Sequence, residues 1–202
     1  EMQRSLVGSE MCIRDSKGFA KTTISDIVSR AGLAKGTFYL YFKDKYDLRD
    51  KLIVYKAGQL FCDAYKALVS QPINGFEQEL LFVADYIIER LKKDHSLLQF
   101  LAKNLSWGIF RTAFSSNVPK ESEEFYDYYL RMLKKNHIGC KDPELMLFTI
   151  IELINATCYN CILFEEPVTI DEYLPYLHLS IIQIFRAFTS EEPITASKNL
   201  QQ

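Results

Sequence analysis

The spacing of apolar positions divides the chain into helices. Ile24, Ile27, Val28 and Ala31 fall at i, i+3, i+4 and i+7, a stripe one helix face wide. Thr23, with Asp26 three residues on, forms a capping-box pattern that gives this helix a defined start. Gly32 supplies the permissive backbone for a tight turn, and Leu33 restores an apolar contact after it. Phe38 and Phe42 lie four apart and pack inward on a second short helix, which leaves Lys35, Gly36, Thr37, Tyr39 and Tyr41 for its outer face. Asp44 then caps a long helix to about Val69, closed off by Pro72 and Gly75.

The same period continues to the end of the chain. Asn74 is expected to cap a helix reaching about Asp94, with Phe82, Tyr86 and Ile87 turned inward. A shorter helical region follows through Leu105, then a Trp107 to Phe114 segment and the polar loop SSNVPKES. Glu121 to about Asn136 forms the next helix, with Gly139 as its stop. Asp142 and Pro143 are a capping carboxylate followed by proline at the first helical position. The helix they open, PELMLFTIIELINATCYNCILF, is apolar around most of its circumference and needs burial on two sides. The last helix runs from Asp171 to about Phe188, and the polar tail 191–202 is expected to fray. No segment alternates as a strand, and with 8 Gly and 6 Pro in 202 residues the chain reads as all-α.

An outer face of cation, glycine, hydroxyl and phenol on the second short helix suits DNA. The formal net charge of −2 argues against that until it is divided along the chain. Between Lys17 and Lys51 eight Lys or Arg face four Asp, a balance of +4, so the remainder sums to −6. Positive charge is concentrated where a DNA-reading unit needs it.

The pattern T-T-x-x-x-I, A-G, K-G-T-F-Y-x-Y-F-x-x-K-x-x-L, from Thr22 to Leu48, resembles the DNA-binding signature of TetR-type bacterial transcriptional regulators. The resemblance implies a three-helix helix-turn-helix domain over residues 1–50, a larger helical effector-binding and dimerisation domain over 51–190, and a flexible tail over 191–202. It makes the second short helix the recognition helix. Lys35 and Thr37 would then touch base edges or adjacent phosphates, Gly36 would let the backbone approach the duplex, and Tyr39 and Tyr41 would reach phosphates. Thr22, Thr23 and Lys45 would hold further phosphates. Ala34 departs from the Ser or Thr common in relatives, and Tyr41 stands where they often carry His. The implied partners are double-stranded DNA, a second copy of the chain through the last two long helices, and a small-molecule effector. The function implied is a ligand-responsive repressor on a palindromic operator. The alternative is an activator that keeps the helix-turn-helix but acts mainly through a protein partner.

The region before Gly18-Phe19 fits this pattern poorly. Leu6 and Ile13 can be buried, but Gly8 interrupts a helix and Arg14 stands where an apolar residue is expected. The peptide MCIRDS back-translates to a sequence resembling a transposon end used in preparing sequencing libraries. Residues 1–16 are therefore read as a candidate translated artefact in place of the authentic first helix.

Catalytic chemistry is not visible. His95, His137 and His178 are far apart, and neither H-E-x-x-H nor G-x-S-x-G occurs, so no catalytic residue, metal site or cofactor is expected. The five cysteines do not form a secreted disulfide framework, and Cys158-x-x-Cys161 lies on a continuous helix, read as a packing pair with a redox or metal-sensing role as the alternative. The absence of a long apolar run or a signal peptide leads to the expectation of a cytoplasmic protein with no membrane contact. Aromatic residues are dense in the central helices, and Tyr86, Trp107, Phe110 and Phe82 are the candidate walls of a pocket for an apolar or aromatic effector.

Overall fold

The structure, a computed structural model, describes residues 21–104 and 120–189, and the side chains within them except those at 103–104 and 120–125. Residues 1–16, Trp107, Phe110 and the tail therefore lie outside the described residues. Among the described residues there are eight α-helices and no strand. They are α1 (Ile24–Arg30), α2 (Lys35–Tyr41), α3 (Lys45–Val69), α4 (Phe76–Lys93), α5 (His95–Asn104), α6 (Lys120–Lys135), α7 (Pro143–Leu163) and α8 (Ile170–Thr189).

Three of the predicted starts are hydrogen-bonded caps. The Thr23 hydroxyl accepts from the Asp26 N–H at 3.1 Å, and the Asp26 carboxylate accepts from the Thr23 N–H at 2.9 Å. Asp44 accepts from the N–H groups of Tyr46 and Asp47 at 2.8 and 2.9 Å, and Asp142 from that of Leu145 at 2.9 Å. Each such cap satisfies donors that a helix leaves orphaned and contributes about 1 kcal/mol. The predicted Asn74 cap is replaced by Gly75, which occupies that position at φ 104 with no side-chain bond. A side-chain cap needs the residue directly before the first turn, and Asn74 is one position too early. At α8 the chain uses a Thr169 to Glu172 capping box, one residue ahead of the predicted start.

The turn between α1 and α2 closes as a Schellman motif. Gly32 takes φ 66, the Leu33 N–H donates to the Val28 carbonyl at 2.8 Å, and the Gly32 N–H donates to that of Ser29 at 3.3 Å. The same geometry ends α6, but His137 (φ 53) takes the left-handed position. The Ile138 N–H reaches back to the Leu133 carbonyl at 2.9 Å, so the stop falls before the predicted Gly139.

A single apolar cluster runs from Ile27, Val28, Phe38 and Phe42 through Leu48 and Ile53 into the larger bundle, where Ile88, Met146, Leu177 and Ile181 are fully enclosed. α3 lies along α4 and α6, and α7 packs chiefly on α8. By length and composition α7 would suffice to cross a bilayer, yet only 33% of its most apolar stretch is buried inside this fold.

α4 and α8 are joined in antiparallel register by two ion pairs and a histidine–carboxylate hydrogen bond between them. Glu77 meets Arg186 at 3.2 Å, Asp85 meets His178 at 2.6 Å, and Lys92 meets Asp171 at 2.6 Å. The rungs follow one another at steps of eight and then seven residues on both helices. Exposed pairs of this kind contribute about 0–1 kcal/mol each. Their role here is alignment: two turns of helix separate successive rungs, so all three meet only in one register.

Candidate nucleic-acid interface and effector cavity

α2 divides into a buried and an open side. Phe38 is buried with its ring 5.3 Å from that of Phe42, and both join Ile27 and Val28 in the core. Lys35, Gly36, Tyr39, Leu40 and Tyr41 are exposed, and Thr37 is half-buried. A Cβ added at Gly36 meets nothing within 4 Å, so the helix surface there is open to a close neighbour. Tyr39 leans edge-on against Phe38, with ring centroids 5.5 Å apart, which fixes its direction without covering its hydroxyl.

Leu40 was not singled out by the sequence pattern. It is 79% exposed, between the two tyrosines. An aliphatic side chain held out from such a helix is what apolar contact with a thymine methyl requires. The signal was the i, i+2 displacement of Leu40 from both Phe38 and Phe42, which excludes it from the buried face.

The flanking residues are arranged differently from expectation. Thr22 is 3% exposed, so its side chain is enclosed and not presented for a phosphate. Its carbonyl instead accepts from Lys45 Nζ at 3.2 Å, which holds the half-buried lysine against the start of α1. The Thr23 hydroxyl also donates to Asp26 at 2.8 Å, so the cap occupies it. Tyr41 is exposed, and its carbonyl accepts from Lys51 Nζ at 3.0 Å, which ties the end of α2 to α3.

Ala34 occupies the N-cap of α2 and makes no side-chain bond. Ala34→Ser is therefore expected to stabilise the protein by about 1 kcal/mol, read as a higher denaturation midpoint. An unchanged or lower midpoint would count against an open cap.

A cavity of about 100 Å³ lies between α3, α4, α6 and α7. Phe61, Leu80, Val83, Met132, Leu147 and Ile151 form much of its wall. Phe82 and Tyr86, proposed from sequence as pocket walls, do not line it. On α4 the cavity takes the side carrying Phe76, Leu80, Val83, Ala84, Ile87 and Leu91, and Phe82 and Tyr86 fall off that stripe. Trp107 and Phe110 belong to the segment outside the described residues.

Glu79, Asn155 and the ring of Tyr128 also line the cavity. Burial pushes the Glu79 carboxyl above its ordinary range, against the opposing pull of Lys135 and a hydrogen bond with Tyr128. Burial and the Glu79 charge push the Tyr128 phenol up to about 12. The Tyr129 hydroxyl donates to the Pro143 carbonyl at 2.8 Å, so its polar end is already satisfied.

Cys158 and Cys161 are both buried, and burial raises both thiols, Cys158 to about 12. No cluster of metal-ligating side chains occurs among the described residues. Alkylation of these two thiols in the native protein is expected to be at least about a hundredfold slower than in the unfolded chain. Rapid native labelling at either position, mapped by mass spectrometry, would contradict their packing role.

Residues 15–52 match the family model described as bacterial regulatory proteins, tetR family. Residues 15–52 are a TetR-family domain. The uncharacterized HTH-type transcriptional regulator YerO of Bacillus subtilis is 42% identical to this chain over 80 residues, which are 40% of the chain and 25% of YerO. The chain spans less than half the length of the curated relatives it matches. In three dimensions the TetR-family fold extends further. The fatty acid degradation regulator FadR from Bacillus halodurans superposes with a TM-score of 0.65 at 18% identity, covering 89% of this chain and 97% of that one. FadR from Bacillus subtilis in complex with stearoyl-CoA gives 0.57 at 18% identity, over 94% and 99%.

Proposed function

We propose that this chain is a DNA-binding transcriptional regulator, a ligand-responsive repressor that reads a palindromic operator as a homodimer. The observation that carries the reading is the open face of α2, where Lys35, Gly36, Tyr39, Leu40 and Tyr41 are exposed above a core of Phe38 and Phe42. Lys35, Thr37 and Leu40 face base edges, Tyr39, Tyr41 and Lys45 face phosphates, and Thr22 and Thr23 act through their backbone at the start of α1. Residues 1–50 form the reading head, and 51–190 bind the effector and the second copy.

Dimerisation through α7 and α8 is supported by unburied apolar surface. Tyr176 and Leu179 on α8 are 68% and 64% exposed, and Leu145 on α7 and Phe164 just after it are exposed as well. A helix as apolar as α7, with a third of its central stretch buried, requires cover from outside the monomer. Two-fold pairing also supplies the half-site spacing of about 34 Å that recognition helices need. The effector is an apolar or aromatic molecule in the cavity, a reading supported by the apolar wall and by a neighbour of the same fold solved in complex with stearoyl-CoA. Such a ligand weakens operator binding only by its differential affinity for the two spacings.

Genomic pull-down with the purified full chain, followed by footprinting, tests the proposal. A palindromic site whose occupancy falls steeply with salt is expected, and recovery of no palindromic site overturns the repressor reading. Gly36→Ala separates fold from contact. It is expected to stabilise α2 by about 0.5–1 kcal/mol while weakening operator affinity, because the added methyl stands where the duplex approaches. Unaltered affinity in a more stable variant would place the duplex away from Gly36.

A further inference from the structure

The cavity is apolar around most of its wall, with an acid set into it. Glu79 sits in the first turn of α4 and lines the cavity beside Leu80 and Val83. One carboxylate oxygen, Oε2, is buried and has no hydrogen-bond partner among the described residues. Lys135 acts on the carboxylate by its charge and Tyr128 by a hydrogen bond, and Oε2 is still left without a hydrogen-bond donor among the described residues. An unmet buried acceptor is costly, more so when charged, and most such groups in folded proteins find a partner. A donor arriving from outside the fold would supply one.

We propose that the cavity is specific for a ligand with an apolar or aromatic body and a protonated amine head, the ammonium donating to Glu79 Oε2. The inference rests on the effector reading above and narrows it to a chemical class. A charge-assisted bond in a low-dielectric wall is the strongest polar contact available there. A ligand carboxylate would instead bring a like charge against Glu79, so the acid also discriminates against fatty and aryl acids. Asn155, on the α7 wall, adds an amide that can accept a second ammonium proton.

The test uses three probes with one body and three heads: 3-phenylpropylamine, propylbenzene and 3-phenylpropionate, each titrated calorimetrically into the full-length protein. The amine is expected to bind about tenfold or more tighter than propylbenzene, and the acid more weakly than propylbenzene. In Glu79→Gln the advantage of the amine is expected to shrink by about tenfold, with propylbenzene changed by less than about twofold. An acid that binds as tightly as the amine overturns the inference, as does a ranking that survives Glu79→Gln. The wild-type ranking decides alone if that variant does not fold. Binding of propylbenzene without preference for the amine sinks this inference and leaves the effector reading intact. Failure of all three probes removes both.

Discussion

Phe38→Ala is expected to destabilise the protein by about 3–5 kcal/mol, measured by chemical denaturation. Phe38 is 1% exposed and joins the two short helices, touching Phe42 and sharing the cluster with Ile27 and Val28. Truncation leaves a void that the capping box at Thr23 and the Gly32 turn hold open, because both fix the backbone on either side. The loss falls mainly on the unit built from α1 and α2, so operator binding should vanish while the cavity still takes up its ligand. The same cluster continues through Leu48 and Ile53, so some loss must reach α3. A destabilisation under about 1 kcal/mol would mean that α2 is held by something other than this aromatic contact.

The second large effect is on operator affinity. Lys35→Ala combined with Tyr39→Phe is expected to weaken operator binding about a hundredfold or more with stability nearly unchanged. Lys35 is exposed, and phenylalanine keeps the edge-on contact with Phe38 while losing only the hydroxyl. Each change occurs twice in a dimer, and hydrogen bonds to charged groups contribute about 1.5–3 kcal/mol apiece. The slope of log affinity against log salt distinguishes the roles. Loss of a phosphate contact at Lys35 lowers that slope by about 0.9 per subunit, whereas loss of a base contact leaves the slope in place and relaxes sequence preference. Binding within about threefold of wild type would remove α2 from the interface.

Local signals carried much of the fold into the sequence. The caps at Thr23, Asp44 and Asp142 are short-range hydrogen bonds whose donors and acceptors lie within three residues, so pattern alone reveals them. The turn at Gly32 is of the same kind. His137 was missed because glycine is the default for a left-handed cap, whereas the chain accepts a strained side chain there and leaves Gly139 further on. Thr22 reads as an exposed hydroxyl and is enclosed, and its carbonyl accepts from Lys45, 23 positions later in the chain, a contact no local pattern shows. The pocket was the least legible part. Counting aromatics finds the bundle but cannot say which face of α4 looks into a void, and the wall uses Leu80 and Val83 instead of Phe82 and Tyr86. The rungs between α4 and α8 join residues 79 to 109 positions apart, which no window on the sequence can see.

Those rungs bear on how α8 can move. Sliding it by a single turn would separate Glu77 from Arg186, Asp85 from His178 and Lys92 from Asp171 together. The three contacts therefore favour one register of the pair, each by a small amount, and are compatible with rocking about it. A signal crossing from the Glu79 end of α4 to the outer face of α8 would then travel as a change of tilt. Tilt has long reach: a few degrees over the 20 residues of α8, about 30 Å, displaces its far end by about an ångström or more.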